Sequence, residues 1–414
     1  MKKINYLAII FFLMNILTAC SISSTSTDSN PKLEDLDYFC DVLERSHKNL
    51  YANISKNEFE IEKQKIAEKT AEMSDSDFYY SLKHLLSMVG DAHTNIAFID
   101  SQYKHLNALG FAVKKYSDGW HLMMLEKENE QYLGCKLLAI NDMDINDIFT
   151  RAKEIMSYEN EAWAENSFSN TINFREPLEY LGIIEKGEPI LLKVEDSSGN
   201  KQSFEIKSMN EQEVAGAKIS SVVQKTTPKT VLRGVYSAMP LDKSCFYIQY
   251  NSCREAPELS MKKFVSSVSN EIKENNYKKV IIDLRYNSGG NSRIFEPMIS
   301  ELSKLQKDSY FKVYTIIGKN TFSSAIINAI QIKEQLHSIL VGIPTGGNVN
   351  SYGELKSFTL KNTPVTVWYS TKYFELIKGY EKDSLYPDIY VEQIFENYLN
   401  GVDREVDMIL EIKG

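Results

Sequence analysis

The chain has 414 residues, 43% hydrophobic and 25% charged, enough for two or three domains with sizeable cores and too apolar for wholesale disorder. Its formal net charge of −9 argues against nucleic acid as the main partner, because phosphate binding needs a basic face. Past the first twenty residues, no apolar run approaches the roughly 20 residues that a membrane-spanning helix requires.

In chain order, the first element is a leader. Lys2 and Lys3 precede an apolar run from Tyr6 to Leu17, which closes on Leu17-Thr18-Ala19-Cys20. This ending resembles the bacterial lipobox, in which the cysteine becomes the lipidated first residue of the mature protein. The resemblance implies residues 1–20 as a lipoprotein signal peptide and Cys20 as the lipidation site. It also implies a protein anchored on the extracytoplasmic face of a bacterial membrane. Residues 21–32, SISSTSTDSNPK, read as a flexible tether. Four cysteines remain, Cys40, Cys135, Cys245 and Cys253; none forms a CxxC, and no metal-ligand spacing supports a zinc site. They are expected as buried free thiols, although Cys245 and Cys253 are close enough in sequence to pair across a hairpin.

Residues 33–100 are expected to be an N-terminal helical region. Leu36, Phe39, Cys40 and Leu43 recur at helical spacing, and Ser74, Asp75 or Ser76 offers an N-cap for the next helix. Over 101–210 the pattern changes to short strands with turn residues between them. The stretch Gly134-Cys-Lys-Leu-Leu-Ala-Ile-Asn141 resembles a PDZ-like strand. That predicts an inserted small β domain that binds an extended peptide or a chain end at a sheet edge.

Residues 211–414 read as an α/β core. Four strand candidates, KSCFYIQY, KKVIIDLR, YFKVYTIIG and SILVGIP, alternate with helical patterns at 256–275, 292–305 and 324–336. Such alternation implies a parallel sheet with right-handed crossovers, and ligands then bind beyond the carboxyl ends of the strands. That rule puts Gly289-Gly290 and Ser323-Ser324 on one rim. A serine opening a helix reads first as a cap. Beside paired glycines, whose bare backbone lets a carbonyl approach amide N–H groups, it also reads as a nucleophile. A proton acceptor is then needed, and His93 in VGDAHTNIAF is the histidine between a helix and a strand-like run.

Several segments together resemble the carboxyl-terminal-processing, or tail-specific, serine peptidases, whose clan includes the tricorn protease core. VIIDLRYNSGG is similar to the family's DLRxNxGG segment and TFSSAIINAI to its nucleophile turn. LVGIPTGGN, GDAHTN and LYPDIYV resemble further motifs, all in family order over roughly residues 35–395. The resemblance implies a ClpP/crotonase-like catalytic core with a parallel sheet, and a PDZ-like domain between the helices and that core. It implies Ser324 as nucleophile because it precedes Ala325, with Ser323 as the fallback; Gly289 or Gly290 would supply one oxyanion N–H, and Ala325 or the nucleophile's own amide another. Asp283 and Arg285 read as charges that fix the loop.

The base is where this chain departs from the tail-specific branch. That branch uses lysine at a position that is Asn348 here, and neither Lys319 nor Lys333 matches the motif. The tricorn-like branch uses a histidine where this chain has His93, but with Ala92 in place of a preceding serine. The group that orients the imidazole stays open between Glu354 and Asp91. The implied activity is a lipid-anchored serine endopeptidase acting on peptides or flexible protein tails, without cofactor or metal. The alternative is an inactive peptide-binding lipoprotein on the same fold.

Overall fold

The computed structural model describes residues 30–226, 230, 234–308 and 310–413; the leader, Cys20 and residues 21–29 lie outside them. The first three helices are α1 (Pro31–Ser46), α2 (Lys56–Ala67) and α3 (Asp75–Val89). Each starts on a side-chain cap, Asn30, Ser55 or Ser74, which satisfies an amide that the first turn leaves without an acceptor. Leu36, Phe39, Cys40 and Leu43 form the buried stripe of α1, as their spacing predicts. Gly90 ends α3 in the left-handed conformation, φ 66°, and the chain turns into β1 (Asn95–Phe98).

The middle of the chain builds an antiparallel sheet. Its elements are β2 (Phe111–Tyr116), β3 (Gly119–Glu126), β4 (Lys136–Ile140), β5 (Met143–Asp144), α4 (Ile145–Ala152), α5 (Glu161–Ile172), α6 (Arg175–Tyr180), β6 (Ile190–Glu195), β7 (Lys201–Ile206), α7 (Glu211–Gly216) and β8 (Ile219–Ser221). The sheet runs β2-β3-β4-β6-β7, with β5 beside β4 and β8 beside β3. The start of its β2 edge is covered by the chain itself. Leu109 N–H donates to Asn173 O at 2.9 Å, Val113 N–H donates to Ser169 Oγ at 3.0 Å, and Ala108 bridges to Phe174 and to Met209. The chain's own α5 and later residues thus take up backbone groups at and just before the start of this strand.

The remaining elements are β9 (Tyr236–Pro240), β10 (Cys245–Tyr250), α8 (Met261–Glu274), β11 (Lys279–Asp283), α9 (Glu296–Asp308), β12 (Lys312–Ile317), α10 (Ser324–Leu336), β13 (Ile339–Gly342), β14 (Ser351–Thr359), β15 (Val365–Phe374), β16 (Ile389–Tyr390), α11 (Phe395–Leu399) and α12 (Arg404–Glu411). A six-stranded sheet runs β16-β13-β12-β11-β10-β9, parallel throughout except for β9. Its central strands are apolar on both faces, since helices cover one side and α12 the other. The chain is thus a mixed α/β protein with several sheets, and the four core strands and three core helices expected from sequence are all present. A third sheet, β1-β15-β14, ties the N-terminal helices to the core. Among the described residues no helix is long and apolar enough to cross a membrane. Cys40, Cys135, Cys245 and Cys253 are free thiols, so the 245–253 pairing does not form.

Candidate active site

Two loops leave the carboxyl ends of neighbouring parallel strands and are fastened together. After β12, the turn 318–322 is held by Thr321, whose hydroxyl donates to Leu284 O at 2.9 Å and accepts from Gly318 N–H at 3.0 Å. Phe322 N–H then donates to Asn287 O at 3.1 Å. These bonds force the chain to reverse into α10 within one residue. That residue is Ser323, with φ 54° and ψ −125°, a conformation a side-chain-bearing residue seldom adopts. As N-cap it makes no side-chain capping bond, so its hydroxyl is left for another use.

The second loop, after β11, is organised by buried Asn287. Its Oδ1 accepts Gly289 N–H at 2.9 Å, and its Nδ2 donates to Tyr250 O at 3.0 Å. Gly289 and Gly290 have φ of 106° and 129°. A Cβ on Gly289 would sit 2.9 Å from Ser323 Cβ, and one on Gly290 would sit 2.5 Å from Cys253 O. Only glycine permits this approach. Cys253 N–H donates to Gly289 O and Asn291 N–H donates to Cys253 O, a bridge that does not use Gly290 N–H. Arg285 locks the strand end from beneath, reaching Asp283 at 2.7 Å, Asp403 at 2.8 Å and Glu405 at 3.1 Å, all buried. Asp283 and Arg285 thus hold the loop, as their charges suggest.

His93 reaches this rim from the N-terminal side, and its Nε2 lies 3.0 Å from Ser323 Oγ. Asp91 shapes its loop. Oδ1 accepts His93 N–H at 2.9 Å, and Oδ2 accepts from the Thr94 hydroxyl at 2.6 Å and from His47 Nε2 at 3.0 Å. His47 Nδ1 accepts Asn49 N–H, which leaves its ring proton on Nε2, facing Asp91. Burial opposes ionisation of Asp91, but its hydrogen bonds, led by the one from His47, outweigh that and hold the carboxyl below its ordinary range. Phe322 stacks on the imidazole, ring centres 4.5 Å apart, and Trp163 of α5 stacks on Phe322 at 4.2 Å. Beside the ring, Gly353 has no side chain; a Cβ there would meet Phe374 at 3.2 Å and stand 4.0 Å from Nε2.

Several expectations need correction. The hydroxyl beside the imidazole is that of Ser323, not Ser324, whose Oγ turns away and donates to Gly290 O at 2.6 Å. Of the amides expected to face an oxyanion, Gly289 N–H already serves Asn287, and Ala325 N–H donates to Phe322 O at 3.1 Å. That leaves Gly290 N–H and the amide of Ser324, which opens the helix beside Gly289. Glu354 is not near the ring: its side chain is 65% exposed and faces Lys372 at 3.8 Å. Lys319 pairs with Glu165, and Lys333 pairs with Asp388.

Sequence reasoning missed Glu159. It lies just before α5, its side chain only 3% exposed, with Oε1 3.5 Å from His93 Nδ1; Asp91 Oδ1 is 3.8 Å from the same nitrogen. Asp91, His93 and Glu159 are the one group among the described residues with donor atoms close enough to share a cation. Nothing in the spacing of Glu159, 66 positions after His93, marks it. His47 was missed for the same reason.

Residues 244–310 match the model of peptidase family S41, a stretch from β10 to the end of α9 that holds the glycine loop but neither Ser323 nor His93. The fold is similar to that of mature CPAF complexed with lactacystin, with a TM-score of 0.61 and 11% identity over 90% of this chain and 96% of that one. A second structure of mature CPAF gives 0.59 and 12% over 90% and 94%. The photosystem II D1 C-terminal processing protease gives 0.40 and 11% over 88% and 93%. At these identities the structural likeness shows the fold alone. No curated protein matches the sequence.

Proposed function

We propose that this chain is a serine peptidase in which Ser323 is the nucleophile and His93 the general base. The observation that carries the reading is the 3.0 Å approach of His93 Nε2 to Ser323 Oγ, on a strained strand-to-helix turn whose hydroxyl caps nothing. The S41 match over the adjoining glycine loop supports it. The Ser–His pairing is favoured over Ser–Lys because Asn348 occupies the lysine position, and the nearby Lys319 and Lys333 are each bound to a carboxylate.

In the proposed reaction, Ser323 Oγ bonds to the scissile carbonyl carbon while its proton passes to His93 Nε2. The carbonyl π electrons move onto oxygen, beside the Gly290 and Ser324 amides and the positive end of α10. The imidazolium then protonates the leaving amine as the C–N bond breaks, and water, deprotonated by His93, hydrolyses the acyl-enzyme. The substrate class is an extended peptide or flexible protein tail. The middle β region is read as a PDZ-like insert, although the start of its β2 edge is covered by its own chain. The leader supports a lipid-anchored, extracytoplasmic enzyme; replacing Cys20 with Ser should abolish incorporation of labelled fatty acid.

The test of the site is a fluorophosphonate probe. Labelling should map to Ser323, vanish in Ser323→Ala and persist, more slowly, in Ser324→Ala. Labelling at Ser324, or at neither serine alongside tight binding of extended peptides, would overturn the assignment.

A further inference from the structure

If His93 is the base, its proton must reside on Nδ1 so that Nε2 is free to accept, and some group must hold that tautomer. Two carboxylates approach Nδ1. Asp91 has its oxygens engaged, Oδ1 by His93 N–H and Oδ2 by Thr94 and His47. Glu159 is different: Oε2 accepts Asn348 N–H at 2.9 Å, while Oε1 is buried, has no hydrogen-bond partner and points at an equally unpartnered Nδ1 3.5 Å away. A buried carboxylate oxygen with no donor is costly, and so is a buried ring N–H with no acceptor. The two gaps face each other.

From this pairing we infer that Glu159 is the positioning acid of the site, accepting the Nδ1 proton of His93 and so keeping Nε2 aimed at Ser323. The inference rests on the Ser–His reading above. Glu159 itself transfers no proton: when Nε2 takes the hydroxyl proton, the carboxylate faces an imidazolium and stabilises it, and the proton leaves from Nε2 to the departing amine. The loop that carries lysine in the resembling branch would here serve differently, its Asn348 amide anchoring the acid.

Glu159 precedes Asn160, whose side chain donates to Thr345 O at 3.2 Å, Asp383 O at 2.7 Å and Ser384 Oγ at 2.9 Å. Three residues on, Trp163 stacks on Phe322. The acid therefore reaches the imidazole only while the start of α5 is docked on the core. The middle region finishes the site.

The test combines kinetics with a spectroscopic signature. Glu159→Gln keeps size and loses charge; kcat should fall about 10²-fold or more, with KM changed far less. In the wild-type protein a strongly downfield imidazole N–H proton resonance should be present, lost in His93→Gln and displaced in Glu159→Gln. Wild-type kcat in Glu159→Gln, or a kcat loss with that resonance unmoved, would overturn the inference. So would loss of wild-type activity on adding a chelator, which would assign the Asp91–His93–Glu159 group to a cation. Should the variant fail to fold, absence of the resonance from the wild-type protein decides against it. Ser323→Ala separates the two readings. An inactive Ser323→Ala beside an unimpaired Glu159→Gln removes only the positioning acid, whereas an active Ser323→Ala removes the dyad itself.

Discussion

The two sides of the site are built by different means. The core side, Ser323 with the Gly289-Gly290 loop, comes from consecutive strand ends of one parallel sheet, and its parts are held by contacts among residues 250–325 and by Arg285 bonding to Asp403 and Glu405. The opposite side, His93 with Glu159, comes from a loop after α3 and a segment before α5. Buried polar contacts from His47, Asp91 and Asn160 bring these to the rim. One side is a property of the sheet; the other is a property of docking. Damage to the first should unfold the core or disturb the proposed oxyanion site, whereas damage to the second should leave the sheet intact and misalign the proposed base.

The largest effect should come from beneath the glycine loop. Arg285→Met leaves Asp283, Asp403 and Glu405 buried without their cation, and should destabilise the protein by about 3–5 kcal/mol. Burial already pushes the Glu405 carboxyl up, while the Arg285 charge holds Asp403 down against burial. Denaturant unfolding would measure the loss; a variant as stable as wild type would break the claim that this network supports the core side. Gly290→Ala comes next. Its Cβ would meet Cys253 O at 2.5 Å at a φ of 129°, so the loop must move and its amide with it. A drop in kcat of about 10²–10³, the usual cost of one oxyanion donor, is expected. An unchanged kcat would take Gly290 out of the site.

Asn160→Ala probes the docked side. It leaves Thr345 O and Asp383 O without a donor and removes the cap from Trp163 N–H, which should cost about 1–3 kcal/mol of docking. The comparison is sharpened if kcat falls roughly 10-fold or more while amide exchange in β10–β12 stays slow. Faster exchange throughout the core sheet would mean that the two sides are one cooperative unit.

This division also governs what could be read from the sequence. The core strands, their alternation with helices, the glycine pair and the serine-bearing turn are local patterns, and each is a continuous run of residues. The choice between Ser323 and Ser324 was not legible, because it depends on which of two neighbours takes the positive φ, and that is set by Thr321 and Phe322 bonding across to the next loop. Glu159 and His47 were invisible because nothing local distinguishes a glutamate before a helix, or a histidine at a helix end, from a solvated one. Glu354 is one of two candidate orienting acids in the sequence, yet its side chain faces solvent from a residue at φ 57°. The cover over the start of the β2 edge was illegible for a similar reason, since α5 and the residues after it carry no signal of where they pack.

The smallest expected effect concerns the other seam between the middle region and the core. His121 of β3 stacks on Phe395 of α11, ring centres 4.3 Å apart, and Asp118 accepts Phe395 N–H at 3.0 Å. His121 Nδ1–H donates to Gly134 O at 2.9 Å. Burial pushes the His121 pKa down, as does the nearby Lys136 charge; Gly134 O and Asp118 oppose this without reversing it. Because folding depresses this pKa, the unfolded chain binds more protons once pH falls below its ordinary value of about 6.5. The contribution of neutral His121 is therefore complete above that value and is lost as pH falls from it toward the folded pKa. Between about pH 7.5 and about pH 5.5 the wild-type Tm should drop, and the drop should be smaller in His121→Gln. Equal drops in the two proteins would show that this seam does not titrate, leaving the docking of α5 as the part of the middle region that bears on the site.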